Sequence, residues 1–150
     1  MTVASTQLLL DTNILVHIFR GRTAAAVLER KYQFGQRSPR PAISVVSKGE
    51  ILSLALQFGW GTDKVTRVED TLARMPTVDI SSRVVHDAYA RLDHASTTQG
   101  ITMGKNDLWI AASALVVDAT LLTMDDDFGH LVPQGLRLER VQEAALRSEP

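Results

Sequence analysis

Asp11, Glu50, Asp107 and the run Asp125-Asp126-Asp127 each stand at the edge of an apolar segment. They are remote in the chain, and each follows a short apolar run or opens a helix-like pattern. A fold that gathers them makes a strongly negative pocket. Two like charges about 5 Å apart repel by roughly 3 kcal/mol at an effective dielectric of 20. Such a cluster persists by binding cations or by raising its pKa values. Hard divalent metals with oxygen ligands fit best, and the chemistry they bring is phosphodiester cleavage.

Each acid has a second, purely structural reading. Asp11-Thr12-Asn13 before Ile14 is good helix-capping chemistry as well as a metal ligand with Asn13 orienting it. Ser47-Lys48-Gly49-Glu50 fits a capping box, in which Glu50 reaches back to the start of its helix. Asp107 leads a face carrying Ile110, Ala111, Ala114 and Leu115, so it points to an interior or a cleft; it also suits the dipole of a first helical turn. In the last run, alternate residues share a side, which favours Asp125 with Asp127 for the site and Asp126 for solvent. That run lacks the glycine and distal glutamate of a calcium loop.

Other chemistries find little support. With no cysteine there is no disulfide, thiolate zinc site or cysteine nucleophile. His17, His86, His94 and His130 lack zinc-type spacing, although His17 and His130 fall near the same edge. There is no nucleophile elbow, Walker loop or dinucleotide fingerprint. Trp60 and Trp109 read as packing residues. Net charge is −1, but Arg20, Arg22, Arg30, Lys31, Arg37 and Arg40 face a single acid, Glu29, between residues 20 and 40. That stretch is either a solvated surface or a handhold for an RNA backbone.

The elements that must position these acids alternate. Strands are expected at Leu8–Leu10, Ala42–Ser44, Thr77–Ile80, Ala119–Met124 and Leu136–Leu138. Helices are expected at about 14–19, 23–34, 47–58, 62–74, 81–98 and 106–117, punctuated by Gly21, Gly59, Gly61 and Pro76. This predicts an α/β three-layer sandwich with a central, mostly parallel sheet of four or five strands. In such sheets ligands bind beyond the carboxyl ends of the strands, where Asp11 and the Asp125 run both fall. A chain of 150 residues, 45% hydrophobic and 22% charged, suits one domain over 1–150, with 141–150 expected to fray. The opening Met1–Gln7 has no basic segment and no apolar run spans a bilayer, so a soluble, cytoplasmic protein is expected.

Four segments together resemble a known family. Leu8-Leu9-Leu10-Asp11-Thr12-Asn13-Ile14-Leu15 resembles the opening of PIN-domain nucleases. Ile43-Ser44-Val45-Val46-Ser47-Lys48-Gly49-Glu50-Ile51, Asn106-Asp107-Leu108-Trp109-Ile110-Ala111-Ala112 and Leu121-Leu122-Thr123-Met124-Asp125-Asp126-Asp127-Phe128 resemble their second, third and fourth motifs. Order and spacing are similar to VapC toxins of bacterial toxin–antitoxin pairs, with Lys48-Gly49 a mild departure. The resemblance implies a PIN fold and an endoribonuclease dependent on Mg²⁺, or on Mn²⁺. It implies a catalytic quartet of Asp11, Glu50, Asp107 and Asp125, with Asp11 and Asp107 as direct metal ligands. Asp127, Asn13 and Thr123 are additional candidates. It further implies an RNA substrate, a homodimer, and a small VapB-like antitoxin through which any contact with DNA is indirect.

Three rivals stand beside this reading. A haloacid-dehalogenase-type phosphatase needs an aspartate where this chain has Asn13. A receiver domain needs a strand-end lysine that is missing after Leu121-Leu122. A PIN-domain RNA-processing nuclease, or a non-catalytic binding module on the same scaffold, fits the residues without any toxin pairing.

Overall fold

Leu8, Leu9 and Leu10 are all buried, and their alternation sets the architecture. Side chains of a strand alternate between faces. Leu9 joins one apolar cluster with Leu92, Leu108, Ala111, Leu121 and Phe128. Leu8 and Leu10 join another with Ile14, Leu28, Ile43, Ile51, Val68 and Leu122. A strand buried on both faces needs helices on both sides, which gives three layers.

The computed structural model describes residues 3–4 and 6–147. Within it the strands are β1 (Val3–Ala4), β2 (Leu8–Leu10), β3 (Arg37–Ser38), β4 (Ile43–Ser44), β5 (Thr77–Val78), β6 (Thr120–Thr123) and β7 (Arg137–Arg140). The helices are α1 (Thr12–Arg20), α2 (Arg22–Tyr32), α3 (Val45–Gln57), α4 (Thr62–Arg74), α5 (Arg83–Thr98) and α6 (Lys105–Val116). β2 pairs with β6 and β6 with β7; β4 pairs with β5. A bridge from Leu9 to Ala42, with Leu10 N–H on Ala42 O at 2.9 Å, joins β2 to β4. The order is therefore β5-β4-β2-β6-β7, and every pairing among the described residues is parallel. The expected mostly parallel sheet of four or five strands forms with five; β2 has its expected bounds, β4, β5 and β6 are shorter than expected, and β7 is one residue longer. The small β1–β3 pair has no counterpart in the sequence reading, because two-residue strands carry no periodic signal.

This order places the first long strand in the centre. The chain builds outward through β4 and β5, then returns to the other side of β2 with β6 and β7. The reversal at β2 opens a crevice at the carboxyl ends of β2 and β6. Asp11 N–H donates to Leu122 O at 2.9 Å, which fixes the end of β2 beside the end of β6.

Two boundaries differ from expectation in ways that matter. α3 starts at Val45, capped by Ser44, whose hydroxyl accepts from Val46 N–H. The capping box expected at Ser47–Glu50 therefore does not form, and Glu50 sits inside the helix. The tail does not fray at residue 141: Glu143–Leu146 make a 3-10 turn, and Leu146 is buried in the α1–α4 core. Residues 148–150 lie outside the described region.

Candidate active site

Asp11 caps α1, as its capping reading expects. As the cap of α1 its Oδ1 accepts the Thr12 N–H at 2.7 Å, and its Oδ2 accepts the Thr123 hydroxyl at 2.7 Å. The residue is only 3% exposed, so an ionised carboxylate there lacks most of its hydration. Burial pushes its pKa up from 3.8 to about 6; the bonds from Thr123 and Thr12 pull down, and Asp107 and Glu50 push up.

Glu50 is held by long-range bonds instead of its own helix. Its Oε1 accepts the Thr12 hydroxyl at 2.6 Å, and its Oε2 accepts from Asn106 Nδ2 at 3.3 Å. Thr12 also meets the buried Ser47 hydroxyl at 2.9 Å, which locks α1 against α3. Asp107, in the first turn of α6, accepts no hydrogen bond among the described residues. Burial, then Asp125, Glu50 and Asp127, raise its pKa from 3.8 to about 6. α6 is itself set by Ser113, whose hydroxyl reaches the buried Ser44 at 3.2 Å.

Thr123 and Asn13 organise the last loop. Thr123 Oγ1 accepts the Asp125 N–H at 3.0 Å while donating to Asp11. Asn13 Oδ1 accepts the Met124 N–H at 3.2 Å. Behind them the fully buried Phe128 anchors the chain. Asp125 is half-buried; Asp126 and Asp127 are exposed. Asp127 N–H folds back onto Asp125 Oδ1 at 3.1 Å, and Asp126 lies 3.9 Å from Arg140. Asp11, Glu50, Asp107 and Asp125 line one cavity of about 320 Å³, together with Asn13, His17 and Phe58. The expected partnership of Asp125 and Asp127 on that wall does not hold; Asp127 acts on the cavity through its charge on Asp107 and its hold on Asp125. A second hollow shares Glu50 and Asp107 with this cavity and is walled by Gly104, Lys105 and Asn106.

Thr12, Ser47 and Asn106 are site residues that sequence reading missed. Their work is done through bonds spanning 35 to 56 residues, for which sequence carries no periodic signal. The other sequence-stated features disperse. His130 bonds the buried Ser96 at 2.8 Å and lies near enough to Asp127 to act on its charge, but does not line the acidic cavity among the described residues. Trp109 stacks on Tyr89 at 4.0 Å, as a packing residue. In the basic stretch, Arg37 bonds the Tyr32 and Thr6 carbonyls, and Arg40 lines a different hollow beside Glu29 and Arg74. Arg20 stands over Phe58, a residue that lines the acidic cavity.

The donor set fits a divalent cation. Among the described residues, no basic side chain forms an ion pair with Asp11, Glu50, Asp107 or Asp125, and Asp107 and Glu50 push the Asp11 pKa up. Oxygen ligands alone select hard ions. Three ligand oxygens within 4.8 Å of one another occur, among the described residues, only in Asp125-Asp126-Asp127. The four acids of the cavity are spaced more widely, which suits an ion that keeps part of its water shell. If Thr123 holds Asp11 and the Asp125 loop together, Thr123→Val will lower the activity of the site about 10–100-fold while costing roughly 1–2 kcal/mol of stability. Parallel measurement of turnover and urea unfolding checks this; equal activity in the variant would exclude the role.

The chain is similar to known proteins. Ribonuclease VapC1 of Haemophilus influenzae strain R2866 is 28% identical over 116 residues, covering 77% of this chain and 84% of that protein. The fold superposes on VapBC2 from Rickettsia felis, solved bound to a promoter DNA fragment, with a TM-score of 0.73, 24% identity, and coverage of 89% of this chain and 98% of that one. It likewise matches VapBC-1 from nontypeable Haemophilus influenzae with a TM-score of 0.69, 23% identity, and coverage of 89% and 97%. The family model described as PIN domain matches residues 8–132, a span that starts at β2 and takes in all four acids of the cavity, and the chain belongs to the PIN domain family.

Proposed function

We propose that this protein is a divalent-metal-dependent endoribonuclease and the toxin of a toxin–antitoxin pair, with Asp11, Glu50, Asp107 and Asp125 as its catalytic acids. The observation that carries the reading is the state of Asp11: a buried carboxylate held by two short hydrogen bonds, facing Asp107 and Glu50 without a basic partner among the described residues. Asp11 and Asp107 would hold the ion, Mg²⁺ in the cell and Mn²⁺ as a substitute. When bound, that ion supplies Lewis-acid polarisation of the phosphate and a water of lowered pKa.

The chain's own residues do the rest. Thr12 and Asn106 fix both oxygens of Glu50, so that carboxylate is oriented to accept a proton from an attacking water at a constant position. Thr123 keeps the Asp11 carboxylate in one rotation and draws the Asp125 loop over the cavity. The two hollows meeting at Glu50 and Asp107 give an extended strand an entry and an exit across the acids. Lys105, on the rim of the second hollow, is placed to donate to a backbone phosphate.

The partner assignment is supported by two further structures of similar fold, VapBC-5 from Mycobacterium tuberculosis, a member of the VapBC family of toxin-antitoxin systems, and a toxin-antitoxin complex from Klebsiella pneumoniae. A small VapB-like antitoxin that covers the acidic cavity, and a homodimer, belong to this proposal. Among the described residues no helix is long and apolar enough to cross a membrane, which is compatible with work in the cytoplasm. Expression alone in a bacterial host should arrest growth, and coexpression of the small open reading frame beside the gene should restore it. Purified protein should cut total RNA with Mg²⁺ or Mn²⁺ and stop when EDTA is added. Intact RNA under both metals would end the nuclease reading. Cleavage without growth arrest would favour an RNA-processing enzyme outside any toxin pair.

A further inference from the structure

Beside the acids lies a feature that the proposed chemistry leaves unused. α3 ends in a Schellman turn: Gly59 adopts φ 68°, its N–H reaches Leu56 O at 3.2 Å, and Trp60 N–H reaches Ala55 O at 3.0 Å. The turn sets Phe58 and Trp60 side by side, ring centroids 5.8 Å apart. The end of α1 lays the Arg20 guanidinium 4.5 Å from the Phe58 centroid. The first turn of α4 lays Lys64 Nζ 4.3 Å from the Trp60 centroid. The outcome is a row of cation, ring, ring, cation: Arg20, Phe58, Trp60, Lys64.

Core packing explains part of this row only. Trp60 is half-buried against the α1–α4 core. Phe58 is 41% exposed and belongs to neither core cluster. It does line the cavity that holds the four acids. An acidic cavity repels a polyanion, so a substrate strand needs flanking cations to approach it. Single-stranded nucleic acid is held elsewhere by this combination of stacking rings and basic groups. A different apolar surface exists on α3, at Leu52 and Leu56, 39% and 84% exposed.

We propose that the Arg20–Phe58–Trp60–Lys64 row is the subsite that grips the single-stranded RNA flanking the scissile phosphate. A base stacks at the Phe58 end, and Arg20 and Lys64 take backbone phosphates. This rests on the RNA-cleavage reading above and assigns the residues that determine how substrate is held, beyond those that react.

The test uses the full chain with Asp107→Asn to prevent cutting, and a short, fluorescein-labelled single-stranded RNA of mixed sequence as the probe. Phe58→Leu keeps apolar bulk but removes the π face, and is expected to weaken binding about tenfold. Phe58→Trp should restore it. Arg20→Gln should lower the slope of log affinity against log salt by about 0.7. In the cleaving protein, Phe58→Leu should raise KM and leave kcat close to that of the parent. Unchanged RNA affinity and KM in Phe58→Leu would overturn the subsite while leaving the nuclease reading intact. Loss of antitoxin binding with unchanged RNA affinity would overturn it too, and assign the row to the protein partner. If the native chain cuts no RNA and the Asp107→Asn protein binds none, both readings fall together.

Discussion

Asp107→Asn is expected to reduce RNA cleavage by roughly 10²–10³-fold, equivalent to about 3–4 kcal/mol of transition-state stabilisation. The substitution keeps the size of the side chain and removes one charge. Asp107 accepts no hydrogen bond among the described residues, so no buried donor is orphaned. Its pKa near 6 reflects burial and repulsion from Asp125, Glu50 and Asp127. Removing the charge relieves that repulsion, so the folded protein should be as stable as the parent or slightly more so. An activity loss without a stability loss is the signature of a group kept for function. Cleavage assays on purified protein, with circular dichroism and urea unfolding alongside, decide the matter. An Asp107→Asn protein that cuts at the parent rate would remove Asp107 from the mechanism.

The second large effect is a metal-linked change in the pH dependence of stability. Asp11 has its pKa raised in the fold from 3.8 to about 6. Between those values the folded state binds more protons than the unfolded state, so unfolding free energy falls as pH rises. The contribution of this group is complete below about pH 4 and is lost as pH passes through about 6. Ionising Asp11 in the metal-free fold therefore costs about 3 kcal/mol relative to the unfolded chain. Asp107 adds in the same direction, discounted because it is only half-buried. In EDTA, Asp11→Asn should accordingly be more stable than the parent at pH 7 and no more stable at pH 4. Mg²⁺ binds the ionised carboxylates, so its stabilising effect should be small at pH 5 and large at pH 7.5. At a hundredfold excess over Kd it supplies about 2.7 kcal/mol, or roughly 5–11 °C in Tm for a chain of this size. Thermal melts at the two pH values, with Mg²⁺ and with EDTA, read this directly. A Tm increment equal at both pH values, or absent in both, would mean that these carboxylates do not hold the ion.

Much of this site was legible in the sequence because apolar periodicity carries long-range information. Leu8-Leu9-Leu10 reads as a strand buried on both faces, and such a strand belongs in the centre of a parallel sheet. That alone brings the residue after it to the ligand edge. Asp107 was legible through the face of α6 on which it sits. Glu50 was less so. Val45 and Val46 are β-branched and favour a strand, so the helix seemed to start at Ser47, where a capping box matched. In the fold Ser44 caps α3 immediately before Val45 and Val46, which form its first turn, and Glu50 is freed to reach Thr12 and Asn106. Thr12, Ser47 and Asn106 were illegible for the same reason: short polar residues look alike whether they face water or a partner far along the chain. Phe58 was also missed, since its ring faces the acidic cavity instead of the core. Asp127 shows the limit of alternation as a guide. A turn closed by its own N–H on Asp125 replaced the extended strand that alternation assumes.

The most direct measurement is the position of Mn²⁺ in crystals of the protein, located by its anomalous scattering. An ion between the carboxylates of Asp11 and Asp107, lost in the Asp107→Asn variant, is the predicted result. Mn²⁺ found only on the exposed Asp125-Asp126-Asp127 run, or nowhere at saturating concentration, would contradict it.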